Sequence, residues 1–169
     1  VVIPTLYWRE GDHLYLHGSA ASRMLDVARG APVCVTVTHL DALVLTRSAF
    51  HHSVNYRSAV VFGVPEEVAG AGEKEARLRT FMEGLMPGRW DGLRPVKPKE
   101  LKATRLLRLP IEEASAKIRA GAPADDADDF DWPAWGGLIP LSIVAGRPEP
   151  DEHVTDVRRR PPAIAKFRR

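Results

Sequence analysis

The feature that most limits how this chain can fold is a series of strand-like runs joined by turns rather than by helices. Along His13-Leu14-Tyr15-Leu16-His17, Leu14 and Leu16 fall on one face and His13, Tyr15 and His17 on the other. A period of two is that of a strand. Val33-Cys34-Val35-Thr36-Val37-Thr38 repeats the alternation with β-branched residues, which suit a pleated sheet. His39-Leu40-Asp41 reads as a turn, Ala42 to Thr46 as the returning strand and residues 47–57 as a polar loop. Ser58 to Val64 is a further strand, and Thr104 to Ile111 the last clear one, extending toward Lys117. Residues 1–8 also read as a strand, which Pro4 confines to an edge or a bulge because it lacks a donor. Gly11-Asp12 then makes the hairpin turn into the run at 13–17. A doubly wound α/β sheet needs a helix after almost every strand, so that class is excluded. The pattern predicts a mainly β, α+β fold: a small barrel or sandwich with helical inserts.

Two helices interrupt the strands. Ser19 or Ser22 caps a short one with Met24, Leu25 and Ala28 on its apolar side, and Gly30 ends it. Glu73 to Met86 is the clearest, with Leu78, Phe81, Met82 and Leu85 spaced along one face. Glu73–Arg77 and Glu75–Arg79 are i,i+4 pairs in the favourable order, and Pro87-Gly88 stops the helix. After Gly121 the pattern weakens, and Trp132-Pro133-Ala134-Trp135-Gly136-Gly137 reads as an ordered loop. One domain over residues 1–147 is expected, followed by a flexible basic tail at 148–169. The opening run Val1-Val2-Ile3-Pro4-Thr5-Leu6 reads like the middle of a strand, so further residues are expected ahead of it.

Composition narrows the function classes. At 169 residues and 44% apolar, the chain can bury a real core. A formal net charge of only +2 argues against a surface built for nucleic acid. The acidic run Asp125, Asp126, Asp128, Asp129 and Asp131 reads as solvated surface, as do Arg158, Arg159, Arg160, Lys166, Arg168 and Arg169. Cys34 is the one cysteine, so no intrachain disulfide forms; this agrees with a cytoplasmic protein, and its mid-strand position suggests a buried core thiol. No apolar stretch reaches the ~18 residues of a membrane span. His39, His51 and His52 are expected as exposed loop residues and not as a metal site, because adjacent residues on a strand face opposite sides.

The chemistry-bearing segment is 13–24. A strand leads through Gly18 and Ser19 into a helix start with Ser22 and Arg23. Glycine lets a ligand approach the backbone, serine hydroxyls and free N–H groups bond an anion, and arginine adds a fixed cation. The same residues taken alone also describe an ordinary capped helix with a surface arginine. Asn55-Tyr56-Arg57-Ser58-Ala59-Val60-Val61-Phe62-Gly63 adds a polar half feeding a buried strand, which puts Tyr56, Arg57 and Ser58 at a barrel mouth.

Together these segments resemble the FMN-binding split barrels related to pyridoxamine 5'-phosphate oxidase, in their nitroimidazole-resistance (Nim) branch. Ile3-Pro4-Thr5-Leu6, Pro87-Gly88-Arg89 and Lys99-Glu100-Leu101-Lys102-Ala103-Thr104 take part, and the likeness runs in order over residues 1–118. The resemblance implies a six-stranded antiparallel split β-barrel. It also implies a homodimer with FMN at the interface and a flavin-dependent oxidoreductase, with nitro-group reduction as one activity. By the same resemblance, Ile3, Pro4 and Thr5 line the isoalloxazine and His17 stands beside the flavin as an acid–base or substrate-contact group. Ser22 and Arg23 hold the phosphate, with Gly18 and Ser19 in the same cradle. Met24 stands where the oxidases carry a second phosphate-binding cation, and Tyr56 and Ser58 supply polar contacts. Trp132 and Trp135 either cover the flavin from the partner or pack beneath a loop. Two alternatives accompany this reading: a non-catalytic flavin-nucleotide storage or sensing protein, and a related barrel that uses deazaflavin or haem.

Overall fold

In the computed structural model the described residues are 2–154; the basic cluster at 158–169 lies outside them. In chain order the elements are β1 (Tyr7–Glu10), β2 (His13–Ser19), α1 (Arg23–Ala28), β3 (Val33–Leu45), β4 (Ser53–Gly63), β5 (Glu66–Glu67), α2 (Ala71–Leu85), α3 (Pro98–Ala103), β6 (Thr104–Pro110), β7 (Glu113–Arg119) and β8 (Gly137–Pro140). The fold is mainly antiparallel β with helical inserts, as the alternation predicts. The chain divides into two compact units: residues 2–34, 62–113 and 147–154 in the first, residues 35–61 and 114–146 in the second.

The first unit is built on a sheet of order β1-β2-β6-β5. Its central strand, β2, pairs antiparallel with β1, Trp8 opposite Tyr15, and with β6, His17 opposite Leu106 and Ser19 opposite Thr104. Leu14, Tyr15 and Leu16 are all buried. The alternation in β2 therefore separates two covered faces rather than an inside from an outside. On one face α1 packs so closely that a Cβ on Gly18 would lie 2.9 Å from Leu25 Cδ1. On the other, Phe81 of α2 meets Trp8 and His17 at ring separations of 5.0 and 5.1 Å.

Local chemistry explains how these helices begin and end. Ser22 is the N-cap of α1, accepting from the Leu25 N–H at 3.4 Å, while the Ser19 hydroxyl accepts from the Ala21 N–H at 3.1 Å. Gly30 follows with φ of +72°, a conformation glycine adopts without strain. In the first turn of α2 sits a buried lysine. Val68 N–H donates to the Leu106 carbonyl at 2.9 Å, and β5 has already ended. The carbonyl two residues away on β6, that of Thr104, accepts from Lys74 Nζ at 2.9 Å. Lys74 thus supplies the donor that a longer β5 would have given. Glu73 reaches Arg77 as expected, but Arg79 pairs with Asp91 rather than Glu75.

The second unit carries the sheet β7-β4-β3-β8. The turn expected at His39-Leu40-Asp41 is absent, and β3 runs unbroken for 13 residues. Asp41 is tolerated in mid-strand because Arg57 grips its carboxylate with Nε and Nη2, at 3.0 and 2.8 Å, and its carbonyl accepts from Leu141 N–H. The polar loop is shorter than expected because β4 begins at Ser53. Asn55, in that strand, is buried: its side chain donates to the Gly121 carbonyl and accepts from Gly121 N–H and from Arg119, all within 3.0 Å. Cys34 is exposed on β3, not in a core.

The acidic run is only partly solvated. The Asp125 side chain is 2% exposed and accepts from the Arg47 backbone N–H at 2.6 Å and from its guanidinium at 3.0 Å. These bonds hold its carboxyl below the usual carboxylate range. The Phe130 ring lies 5.8 Å from the same guanidinium.

Candidate functional site

The site is centred on His17, at the end of β2. Its ring is half-buried between Trp8, edge-on at 5.7 Å, and Phe81. Its Nδ1 is buried and has no hydrogen-bond partner among the described residues. Burial pushes the imidazole below its ordinary pKa of 6.5, so the ring is neutral in neutral solution. An unpaired buried polar atom costs about 1–3 kcal/mol.

Behind His17 lies a network the sequence does not announce. Trp8 and Tyr15 stack at 5.4 Å with their planes 17° apart. The Trp8 indole N–H donates to Glu10 Oε1 at 2.7 Å, and Arg77 donates to Glu10 Oε2 at 2.6 Å. The Arg77 guanidinium also lies 5.4 Å over the Tyr15 ring. The Gly11-Asp12 turn was the available signal: a two-residue hairpin sets Glu10 against His13, hence Trp8 against Tyr15.

Next along the chain are Gly18, Ser19, Ser22 and Arg23. The space beside Gly18 is filled by Leu25, so on that face it serves helix packing. Ser19 and Ser22 each spend an acceptor on the backbone of the turn. Arg29 and Arg105, beside the same helix, are held by Glu67 and Asp26. Arg23 is exposed and has no polar partner among the described residues. Met24 is half-buried, and no cation follows Arg23.

Ile3, Pro4 and Thr5 are exposed and lie ahead of β1, which begins only at Tyr7, so the expected strand over residues 1–8 is shorter. Proline lacks a donor, and no neighbouring strand takes this stretch into the sheet. Tyr56 and Ser58 belong to the second unit. There both are half-buried, and the Ser58 hydroxyl lies 2.9 Å from Thr38 Oγ1 and donates to the Val37 carbonyl at 3.3 Å. His51 faces Asp126 at 3.4 Å, and His52 Nδ1 donates to the Ser48 carbonyl at 2.9 Å. Among the described residues no three metal-ligating side chains cluster. Trp132 and Trp135 are 66% and 63% exposed, not packed beneath a loop. Among the described residues no helix is long and apolar enough to cross a membrane.

Antiparallel sheets with these inserts define a protein of the split-barrel class. A family model described as pyridoxamine 5'-phosphate oxidase matches residues 1–118, and the chain belongs to that family. Among solved structures it is similar to the flavocytochrome Anf3 from Azotobacter vinelandii, with 43% identity, a TM-score of 0.91 and coverage of 99% of this chain and 78% of that one. It is also similar to a FAD and haem binding protein from Mycobacterium smegmatis, with 36% identity, a TM-score of 0.92 and coverage of 99% and 83%. A Bacteroides thetaiotaomicron protein assigned to 5-nitroimidazole antibiotic resistance shares the fold, at 20% identity, a TM-score of 0.54 and coverage of 69% and 67%. No curated protein matches the chain.

Proposed function

We propose that this protein binds a flavin nucleotide and a haem and works as a small oxidoreductase, as a homodimer with the flavin between the two copies. The observation that carries this reading is the extent of the likeness: 99% of the chain aligns with a flavocytochrome and with a FAD and haem binding protein. The same likeness favours FAD over the FMN expected from the sequence, and it raises haem from an alternative to a companion cofactor.

The residues present suit such groups. His17 offers a neutral, half-buried ring at the end of β2, suited to packing against a flavin edge. Arg23 carries a guanidinium that no carboxylate among the described residues claims, suited to a phosphate. The Ser22 hydroxyl accepts from Leu25 N–H and keeps its own proton to donate. Trp8 and Phe81 keep water from two sides of His17. When bound, the cofactors supply the electron exchange; the chain supplies orientation, charge neutralisation and a dry contact.

The test is the absorption spectrum of the purified protein, followed by cofactor extraction and chromatography. Flavin and haem bands with FAD in the extract are expected. No flavin present, and none taken up on reconstitution, would overturn the reading. FMN in the extract would restore the cofactor the sequence suggested. A flavin that neither NAD(P)H nor any nitroaromatic or quinone acceptor turns over would favour storage or sensing.

A further inference from the structure

Trp8 has a partner that packing alone does not require. Its indole N–H points at a carboxylate whose side chain is only 17% exposed. A carboxylate beside an indole favours removal of an electron from the ring, because it stabilises the positive charge left behind; Oε1 of Glu10 can accept the N–H proton while Arg77 holds Oε2 at 2.6 Å. Tyr15, stacked on Trp8, meets the opposite influence. The Arg77 guanidinium lies over its ring, where a positive charge opposes oxidation. The two rings are close enough to share an electron vacancy, and their surroundings assign it to Trp8. His17 stands edge-on to Trp8, so the indole is the next ring inward from the candidate site.

We propose that Trp8 is a one-electron donor to a cofactor seated at His17, with Glu10 as the proton acceptor; this rests on the cofactor reading above. The oxidant would be the bound flavin in its photoexcited oxidised state. Trp8 loses one electron and the cofactor gains it. The Nε1 proton passes to Glu10 Oε1, leaving a neutral indole radical and a protonated Glu10. Return of the electron from the cofactor and of the proton from Glu10 restores the starting state. The chain thereby holds one oxidising equivalent away from the cofactor, on a ring shielded by Tyr15 and Phe81.

The test uses the full chain loaded with flavin. Bound-flavin emission and transient absorption after excitation are recorded, and flavin absorbance reports that each variant still folds and binds. The wild-type protein is expected to show quenched emission and a neutral indole radical. Trp8→Phe should raise emission severalfold and abolish the radical. Glu10→Gln should leave the radical in its protonated form. Trp90→Phe, on the opposite side of α2, should match wild type. Loaded Trp8→Phe with unchanged emission and an unchanged radical would overturn this inference alone. A wild-type protein that takes up no flavin would overturn the cofactor reading and this assignment with it.

Discussion

Arg23 and His17 each carry a polar group with no partner among the described residues. Arg29, Arg77, Arg105 and Arg108 in the same unit all have carboxylate partners, and Arg23 has none among the described residues. Arg23→Ala should weaken flavin-nucleotide binding about tenfold, near the lower end for a hydrogen bond to a charged group. It should leave riboflavin, which has no phosphate, unaffected. Fluorescence titration of both ligands checks this, and equal losses would place Arg23 away from the phosphate. For His17 the sign follows from burial. Its folded pKa lies below 6.5, so as pH falls through 6.5 the unfolded chain takes up a proton that the folded chain does not. Stability should therefore fall on acidification from about pH 7.5 to about pH 5.5, and fall less in His17→Gln. Urea midpoints at the two pH values measure the difference; an identical drop in both proteins would show that the ring does not titrate as placed. Both residues stood out in the sequence. Their surroundings did not, because Phe81 reaches His17 from a helix more than sixty positions away.

At the level of elements, the contact between β2 and α1 is the most exacting. Gly18→Ala would put a methyl group against Leu25, which is 1% exposed and has little room to move. A cost of about 1–3 kcal/mol is expected. Leu25→Ala should cost less in the Gly18→Ala background than alone, because the new methyl fills part of the vacated space. Denaturant unfolding of the four proteins tests it, and strictly additive losses would mean that the leucine swings aside. Elements with a strong local period were readable: α2 from its apolar stripe, and β2 from its alternation. Elements defined by distant partners were not. β8 has no periodicity of its own and exists through its register with β3, Leu43 opposite Ile139. The burial of Asp125 depends on Arg47, 78 residues away, so a run of aspartates read locally looks like solvated surface. The supposed turn at His39-Leu40-Asp41 failed for the same reason, since Arg57 neutralises the residue that suggested it.

For the whole molecule, the mainly β class and the family were legible because strand succession and the ordered motifs over residues 1–118 survive without tertiary information. The chain beyond that match was not, and it carries much of the exposed apolar surface: Ile143 and Val144 are 78% and 70% exposed, alongside Trp132 and Trp135. Such surface is what a second copy would cover. Light scattering of the flavin-loaded protein should therefore give twice the 18.7 kDa chain mass. A monomeric mass would remove the homodimer from the proposal. The pairing of β2 with β6 has a consequence for how the protein is made. His13 lies opposite Pro110, a separation of 97 residues. At about 5–20 residues per second, a ribosome needs roughly 5–20 seconds to deliver the partner strand. Through that interval Leu14 and Leu16 emerge with no β6 to cover them. The nascent chain, more than the finished protein, is where chaperone assistance would matter.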